Sequence, residues 1–197
     1  MLSDKELWEN FLLGDTESFK LIYEKSISDL CIYGSRFFPD QELIKDCIQD
    51  LFVELYNSRS RLSKTDKIMP YLMVSLRRII SRKFQQEKTH KHLDIDHLPF
   101  NFDLAEDEEA IVDESDAAVL QNAMSELTSR QREAIYLRYV ADLSYEELSR
   151  VMNLNYQTSR NLICRAVQKL RKSLTDKSLV LISIFRKIIF YKNDVKI

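Results

Sequence analysis

Two groups of residues have types and spacings that could support metal binding or acid–base chemistry. Asp46 and Asp50 lie about one helical turn apart, so their carboxylates would share one helix face. His90 and His92 stand two residues apart, with His97 further on. No Cys or carboxylate completes a regular ligand spacing around these histidines, so we predict no metal site. For the aspartates, a solvated helix face outranks catalysis.

The sequence also lacks the motifs of the common catalytic classes, because it contains no P-loop, no GxSxG and no HExxH. We therefore predict that the chain is not an enzyme and uses no cofactor or small-molecule substrate. Its three cysteines form no CxxC pair, and its N-terminus lacks the basic and apolar regions of a signal peptide. Both features favour a reducing cytoplasm.

Composition favours an all-α fold. Hydrophobic residues make up 45% of the chain and charged residues 30%, which is typical of a globular protein. Only two glycines and three prolines occur, and no Asn-Gly or Asp-Gly pair is present to turn a hairpin. The net charge is -2, so any prediction of nucleic-acid binding depends on where the charges lie.

Helical periodicity and charge divide the chain into two small helical domains, a linker and a tail. Apolar residues recur at spacings of three and four through residues 1–92, which we take as the first domain. Residues 93–116 are acidic and lack Lys and Arg, so we predict an extended linker. Residues 117–175 form the second, four-helix domain. An apolar helical tail, residues 176–197, should bury against the second domain, a regulator or a membrane surface, the first being preferred.

The tail is not predicted to insert stably in a membrane. Its apolar stretch, residues 179–191, is interrupted by two basic residues and is shorter than the ~20 residues that span a bilayer.

The second domain contains a predicted helix-turn-helix at residues 144–170. Ser144 and Glu147 have the spacing of a capping box, and the following helix ends near Asn153, which tolerates the left-handed backbone of a tight turn. Asn155 can cap the next helix. One face of that helix is apolar at Leu162, Ile163, Ala166, Val167 and Leu170. The opposite face carries candidate DNA-binding residues: Gln157, Asn161, Cys164, Arg165 and Gln168. The alternative is an amphipathic helix with a solvated basic face.

The run from Leu127 to Leu174 resembles region 4 of the extracytoplasmic-function sigma factors, the compact promoter-recognition subunits of bacterial RNA polymerase. The family motif is matched at Leu143 to Glu147 and then at Thr158, Arg160, Arg165 and Ala166. The resemblance implies that this domain reads the minus-35 promoter element and adds Thr158 and Arg160 to the DNA-binding residues. The family often has Arg where Leu162 stands, so we expect the minus-35 sequence read here to differ from the common one.

A second stretch, Lys45 to Tyr56, resembles region 2.2, the helix that docks on the clamp coiled coil of the polymerase β′ subunit. The resemblance implies a polymerase-binding surface on the first domain, comprising Asp46, Gln49, Asp50, Phe52 and Glu54. It also implies that the loop from Asn57 to Met69 holds an unstacked base of the minus-10 element. The basic residues assigned to minus-10 DNA are Arg59, Arg61, Lys64, Arg77, Arg78 and Arg82.

These resemblances predict a sigma factor that binds core RNA polymerase through the β′ clamp and the β flap and directs it to two-part promoter DNA. They also imply an anti-sigma factor as a partner, and a linker that runs near the RNA exit path unless it is disordered. Two alternatives remain open. One is a free-standing helix-turn-helix regulator that binds an operator without polymerase, and the other is a helical enzyme or interaction module.

Overall fold

The structure, a computed structural model, describes residues 2–87, 98–102 and 114–173. The chain divides into two compact units, Met1–Ile95 and Asp96–Ile197. Within the described ranges all regular structure is helical and no strand occurs, which confirms the predicted all-α fold. The three histidines and the predicted tail lie outside the described residues.

The described residues of the first unit form four α-helices, and each of the first three begins at a side-chain cap. Ser3 forms a capping box with Glu6 at the first helix, while Asp15 and Asp40 accept hydrogen bonds from backbone N–H groups at the next two. Pro70 stands in the first turn of the fourth, where its missing N–H is not needed. The helices are α1 (Asp4–Leu12), α2 (Thr16–Ser35), α3 (Gln41–Ser58) and α4 (Ile68–Glu87), with a 3-10 turn at Arg59–Arg61.

In this unit α2 packs against α1, α3 and α4, and α3 also packs against α4. Trp8, Tyr33 and Leu72 are fully buried, and each large apolar side chain so buried contributes roughly 1.5–3 kcal/mol. The approach of α2 to α3 is close at Gly34, where a Cβ atom would lie 2.8 Å from Cγ2 of Ile44. The α3 helix is therefore held rigidly along its inner face, which leaves its outer face available.

The second unit is built around its last helix. Its elements are α5 (Glu114–Ser125), α6 (Ser129–Ile135), one turn of π-helix (Tyr136–Val140), α7 (Tyr145–Val151) and α8 (Tyr156–Ser173). The α8 helix packs against α5, α6 and α7. Thr128 and Gln131 form a capping box at the start of α6. Because three helices support α8, only one side of it faces outward.

Part of the predicted acidic linker has a different structure from the one expected. Leu98, Phe100 and Phe102 are buried, at 6%, 0% and 7% exposure, and the rings of Phe100 and Phe102 lie near that of Tyr136. The α5 helix also begins at Glu114, earlier than the expected domain boundary. Residues 98–102 thus pack as part of the second unit instead of extending freely, because their apolar side chains outweigh the charge of the flanking sequence.

Candidate nucleic-acid interface

Three local features fix the helix-turn-helix of the second unit: a capping box, a left-handed turn residue and an N-cap. The Ser144 hydroxyl accepts from the Glu147 backbone N–H at 3.2 Å, and the Glu147 carboxylate accepts from the Ser144 N–H at 2.8 Å. Asn153 adopts φ +52° in the turn, as its left-handed tolerance predicted. The Asn155 side chain then accepts from the Thr158 N–H at 2.7 Å and caps α8. The turn and both caps were therefore predicted correctly.

The inner face of α8 differs slightly from the predicted one. Ile163, Ala166 and Leu170 are buried as expected, whereas Leu162 and Val167 are half-buried at its edges. Ser159 is fully buried, and its hydroxyl is satisfied by donating to the Asn155 carbonyl at 3.1 Å. The helix is therefore anchored by a narrow stripe, which leaves a wide outer surface.

All of the residues predicted to read the minus-35 element are exposed on α8: Gln157, Thr158, Arg160, Asn161, Cys164, Arg165 and Gln168. The helix carries five Lys or Arg residues and no Asp or Glu. Gln157 Nε2 donates to Asn161 Oδ1 at 3.2 Å, so the two amides are ordered relative to one another. A basic, acid-free helix surface with ordered amides has the chemistry to contact phosphates and base edges in a major groove.

Sequence reasoning missed Tyr156, the first residue of α8. The residue is 44% exposed, its ring lies edge-on to that of Tyr145 with centroids 6.1 Å apart, and the Arg160 guanidinium lies 5.9 Å from the ring centroid. An aromatic residue directly after the capping Asn155 was the sequence feature that could have indicated this exposed side chain. Tyr156 and Arg160 therefore form one continuous exposed patch at the start of α8.

The basic residues assigned to minus-10 DNA do not all lie on the surface of the first unit. Arg61, Lys64, Arg78 and Arg82 are exposed, and Arg59 is half-buried with its guanidinium 4.4 Å from the Tyr56 ring centroid. Lys64 pairs with Glu9 at 3.1 Å, and Arg82 pairs with Glu54 at 2.6 Å.

Arg77 is the exception, because it is buried at 4% exposure. It follows Met73 by four residues and precedes Ile80 by three, and both of these side chains belong to the core. Its helical position therefore points inward, and the expectation that Arg77 lies against DNA is not met in this structure.

The loop before α4 is fastened to the core of the first unit. Trp8, fully buried in α1, donates its indole N–H to the Ser63 carbonyl at 3.0 Å. The Trp8 ring also meets Tyr71 edge-on, with centroids 5.1 Å apart. The loop assigned to the unstacked base is thus attached to a rigid scaffold at its middle and at the helix that follows it.

Four of the five residues predicted to bind polymerase are exposed on α3: Asp46, Gln49, Asp50 and Glu54. Phe52 is buried at 5% exposure, because its ring packs edge-on against Phe19 and Tyr23 of α2. This ring forms part of the wall of an apolar groove of about 600 Å³ between α2 and α3.

The groove adds residues that the sequence prediction did not include. Tyr23 and Val53 line it and are 42% and 52% exposed. Val53 lies four residues from Gln49 on the same helix face. An apolar side chain among these polar neighbours was the sequence feature that could have indicated the groove. The α3 surface therefore combines an acidic rim, formed by Asp46, Asp50 and Glu54, with an adjoining apolar groove whose lining includes Lys45.

The rim carboxylates are partly neutralised by α4. Asp50 lies 3.5 Å from Nζ of Lys83, and Glu54 accepts from Arg82. Both carboxylates and Arg82 are more than half exposed and Lys83 is one-third exposed, so each pair is worth at most about 1 kcal/mol and can exchange for a partner's charges.

Neither a metal centre nor a membrane span occurs in the described part of the chain. No group of three or more His, Cys, Asp or Glu residues there could hold a metal ion. Over the same residues, no helix combines the length and hydropathy that a bilayer crossing requires.

Comparison with known proteins agrees with this architecture. Residues 117–170 match the family model for sigma-70, region 4. The ECF RNA polymerase sigma factor SigM of Bacillus subtilis (strain 168) is 27% identical over 150 residues, covering 76% of this chain and 91% of that protein. The RNA polymerase sigma factor CarQ of Myxococcus xanthus is 24% identical over 174 residues, covering 87% of this chain and 97% of that protein.

Solved structures share the fold. CnrH, in complex with the cytosolic domain of CnrY, matches with a TM-score of 0.60 at 19% identity and covers 89% of this chain and 99% of that chain. The sigma factor RpoE of Bartonella quintana, in complex with the anti-sigma factor NepR, matches with a TM-score of 0.58 at 19% identity. The match covers 82% of this chain and 99% of that chain. The chain is therefore similar over most of its length to RNA polymerase sigma factors, and its residues 117–170 match the region 4 model of the sigma-70 family.

Proposed function

We propose that this chain binds core RNA polymerase and directs it to promoters by reading the minus-35 element with its second unit and the minus-10 element with its first. The observation that carries the proposal is the outer surface of α8. There, seven residues predicted from sequence to contact DNA are all exposed on a helix without a single acidic side chain.

The charges and supports of α8 suit reading of a major groove. Arg160 and Arg165 supply attraction to phosphate, while Gln157 and Asn161 offer amides of the kind that pair with adenine edges. Because α5, α6 and α7 fix the helix, little conformational entropy is lost when it binds. Leu162, half-buried at the edge of this surface, offers no polar group to a base.

The first unit has the features of a protein-docking and strand-trapping module. On α3, an acidic rim adjoins the apolar groove that Tyr23 and Val53 line, a combination suited to a basic, amphipathic partner helix such as the polymerase clamp coiled coil. We further propose the β flap as the contact of the second unit, and an anti-sigma factor as an additional partner.

The loop held by Trp8 would receive an unstacked minus-10 base. Pulling a base from a duplex costs a few kcal/mol, so a pocket held on a rigid scaffold can select and trap it. Arg78 and Arg82, exposed on α4, would hold the adjoining phosphates. In this proposal the polymerase performs the chemistry, the chain itself is not an enzyme, and it acts in the cytoplasm.

Gel filtration with core enzyme and run-off transcription together test the proposal. We expect the chain to co-elute with core polymerase, and a promoter template to yield a defined transcript only when both are present. Tight binding to duplex DNA without co-elution would instead identify a free-standing helix-turn-helix regulator. An absence of both binding activities would contradict the proposal altogether.

A further inference from the structure

The first residue of α8 heads a row of side chains predicted to meet DNA. Residues four apart on a helix lie above one another on one face. The row that starts at Tyr156 includes three residues predicted to read the minus-35 element, and all of its members are exposed: Tyr156, Arg160, Cys164 and Gln168. In a helix-turn-helix, the N-terminal residues of the second helix contact base edges. Tyr156 therefore occupies the end of the row from which base contacts are made.

The ring of Tyr156 is supported by the first helix of the motif. It lies edge-on to the Tyr145 ring, with centroids 6.1 Å apart, and the Arg138 guanidinium lies 5.4 Å from the Tyr145 centroid. Nη1 of Arg138 in turn donates to the Leu143 carbonyl at 3.0 Å. A tyrosine side chain has only two χ angles, so it has little conformational entropy to lose on binding. Tyr156 is therefore a supported aromatic surface that remains 44% exposed.

The chemistry of this ring limits what it can recognise. In the major groove, amides and guanidinium groups pair with the donors and acceptors of the base edges, whereas the one apolar group is the C5-methyl of thymine. A tyrosine ring presents mostly carbon, with a single hydroxyl at its tip. A hydroxyl bond to phosphate would add affinity at every sequence, whereas a ring contact with a methyl group would favour one base. The two roles are therefore separable by experiment.

We propose that Tyr156 is a specificity-determining residue whose ring contacts the C5-methyl group of a thymine in the minus-35 element. The inference deepens the proposed function and rests on it. The Arg160 guanidinium, 5.9 Å from the ring centroid, lies beside this contact and meets an adjoining phosphate or base. Residues four apart are about 6 Å apart along a helix axis and stacked base pairs about 3.4 Å, so the thymine lies within about two base pairs of the Arg160 contact.

Replacement of thymine by deoxyuridine, which removes only the methyl group, tests this contact. The wild-type full-length chain first selects preferred duplexes from a pool of randomised DNA. Each thymine of the selected duplex is then replaced singly, and fluorescence anisotropy measures each Kd. We expect one replacement to weaken wild-type binding about fourfold, which corresponds to about 0.8 kcal/mol for one buried methyl group.

Two variants at this position separate the ring from its hydroxyl. Tyr156→Ser removes the ring, so it should bind the thymine and deoxyuridine duplexes equally, at least about fourfold more weakly than wild type binds the thymine duplex. Tyr156→Phe keeps the ring and should retain the fourfold effect. The matched control is Leu21→Ser, which removes a comparably exposed apolar side chain from α2 and should reproduce the wild-type profile. If Tyr156→Ser binds no duplex, Tyr156→Ala takes its place, because Ala has the highest helix propensity.

A wild-type chain that binds every deoxyuridine duplex as tightly as the thymine duplex would overturn the inference. An equal weakening of all duplexes by Tyr156→Phe would then assign the hydroxyl to a phosphate. A fourfold effect that persists in Tyr156→Ser would also overturn it, since another residue would then contact the methyl group, and so would loss of the effect in Tyr156→Phe. Failure of the proposed function gives a different result, because the selection itself would then enrich no recurrent sequence.

Discussion

Nη2 of Arg82 lies 2.6 Å from Oε1 of Glu54, so an ion pair connects α4 to α3 across the outer surface of the first unit. One partner is predicted to meet DNA and the other polymerase. In the free chain, therefore, each side chain neutralises the charge that the other would present to its macromolecular partner.

We expect the pair to add little stability. Both side chains are 57% exposed, so a double-mutant cycle with Glu54→Gln and Arg82→Gln should give a coupling of at most about 1 kcal/mol, measured by urea unfolding. The coupling should shrink in high salt because the charges are screened. A salt-independent coupling of several kcal/mol would show that the pair is structural and not exchangeable.

Replacing Arg165 with Ala should weaken binding to a minus-35 duplex. A base contact would cost about 1–3 kcal/mol and relax the preference at one position, whereas a phosphate contact would lower the slope of log K against log salt by about 1. Fluorescence anisotropy at several salt concentrations distinguishes the two. Lys25→Ala, which removes an exposed charge from α2, is the control and should leave affinity unchanged.

Charge reversal at Asp50 should damage binding to core polymerase. Asp50→Arg removes an acidic group of the α3 rim and places a like charge beside Lys83, now 3.5 Å away. Co-elution should fall, while binding of the full-length variant to a minus-35 duplex stays within about twofold of wild type. Asp50 lies in the other unit, and surface substitutions away from special features usually change free energies by about 0.5 kcal/mol or less. Glu42→Arg, at the start of the same helix, is the matched control. Equal damage to both activities would refute the division of labour between the units.

Gly34→Ala should destabilise the first unit by about 1 kcal/mol, although Ala favours helix over Gly. The new Cβ would lie 2.8 Å from Cγ2 of Ile44, and overpacking of about 1–3 kcal/mol outweighs the gain in helix propensity. Adding Ile44→Ala should relieve part of this cost. The double variant should therefore be more stable than the sum of the two single-variant destabilisations predicts. At Gly14 nothing lies within 4 Å and φ is +97°, so the cost of Gly14→Ala should show no such relief. Thermal unfolding measures all of these variants.

The cap of α2 should make the first unit less stable in acid. The Ser18 hydroxyl and then the Ser18 backbone N–H donate to Asp15, and these bonds lower the pKa of the carboxyl. Because the folded pKa lies below the unfolded one, near 4, the contribution is present above pH 4 and is lost as pH falls through the folded value. Asp15→Asn should flatten this part of the stability profile. Ser18→Ala should raise the Asp15 pKa toward its usual value, as NMR titration would show.

Sequence predicted best what short-range chemistry determines. Ser144 with Glu147 and Asn155 with Thr158 are three residues apart, so their caps follow from spacing alone, and they fix both helices of the helix-turn-helix. The exposed face of α8 was predicted equally directly from the helical spacing of its apolar residues. Three neighbouring helices pack against the apolar side, so the opposite side must face outward.

Long-range contacts escaped prediction. The carbonyl of Phe100 meets Arg132, 32 residues away, and nothing local announces that bond. Only the alternation of Leu98, Phe100 and Phe102 within an acidic stretch indicated burial. Arg77 gave the opposite error, since its charge led to a prediction of surface exposure. Its position between Met73 and Ile80 places it in the core.

The exposure of Cys164 on α8 has a practical consequence. Of the three cysteines, Cys47 is buried, and Cys31 is half-buried with its thiol pKa raised by desolvation, which disfavours the reactive thiolate. A maleimide dye should therefore attach first at Cys164, between Arg160 and Arg165 along the helix. The wild-type chain thus carries its own fluorophore attachment point on the surface proposed to enter the groove, and its emission could report promoter engagement without any engineered residue.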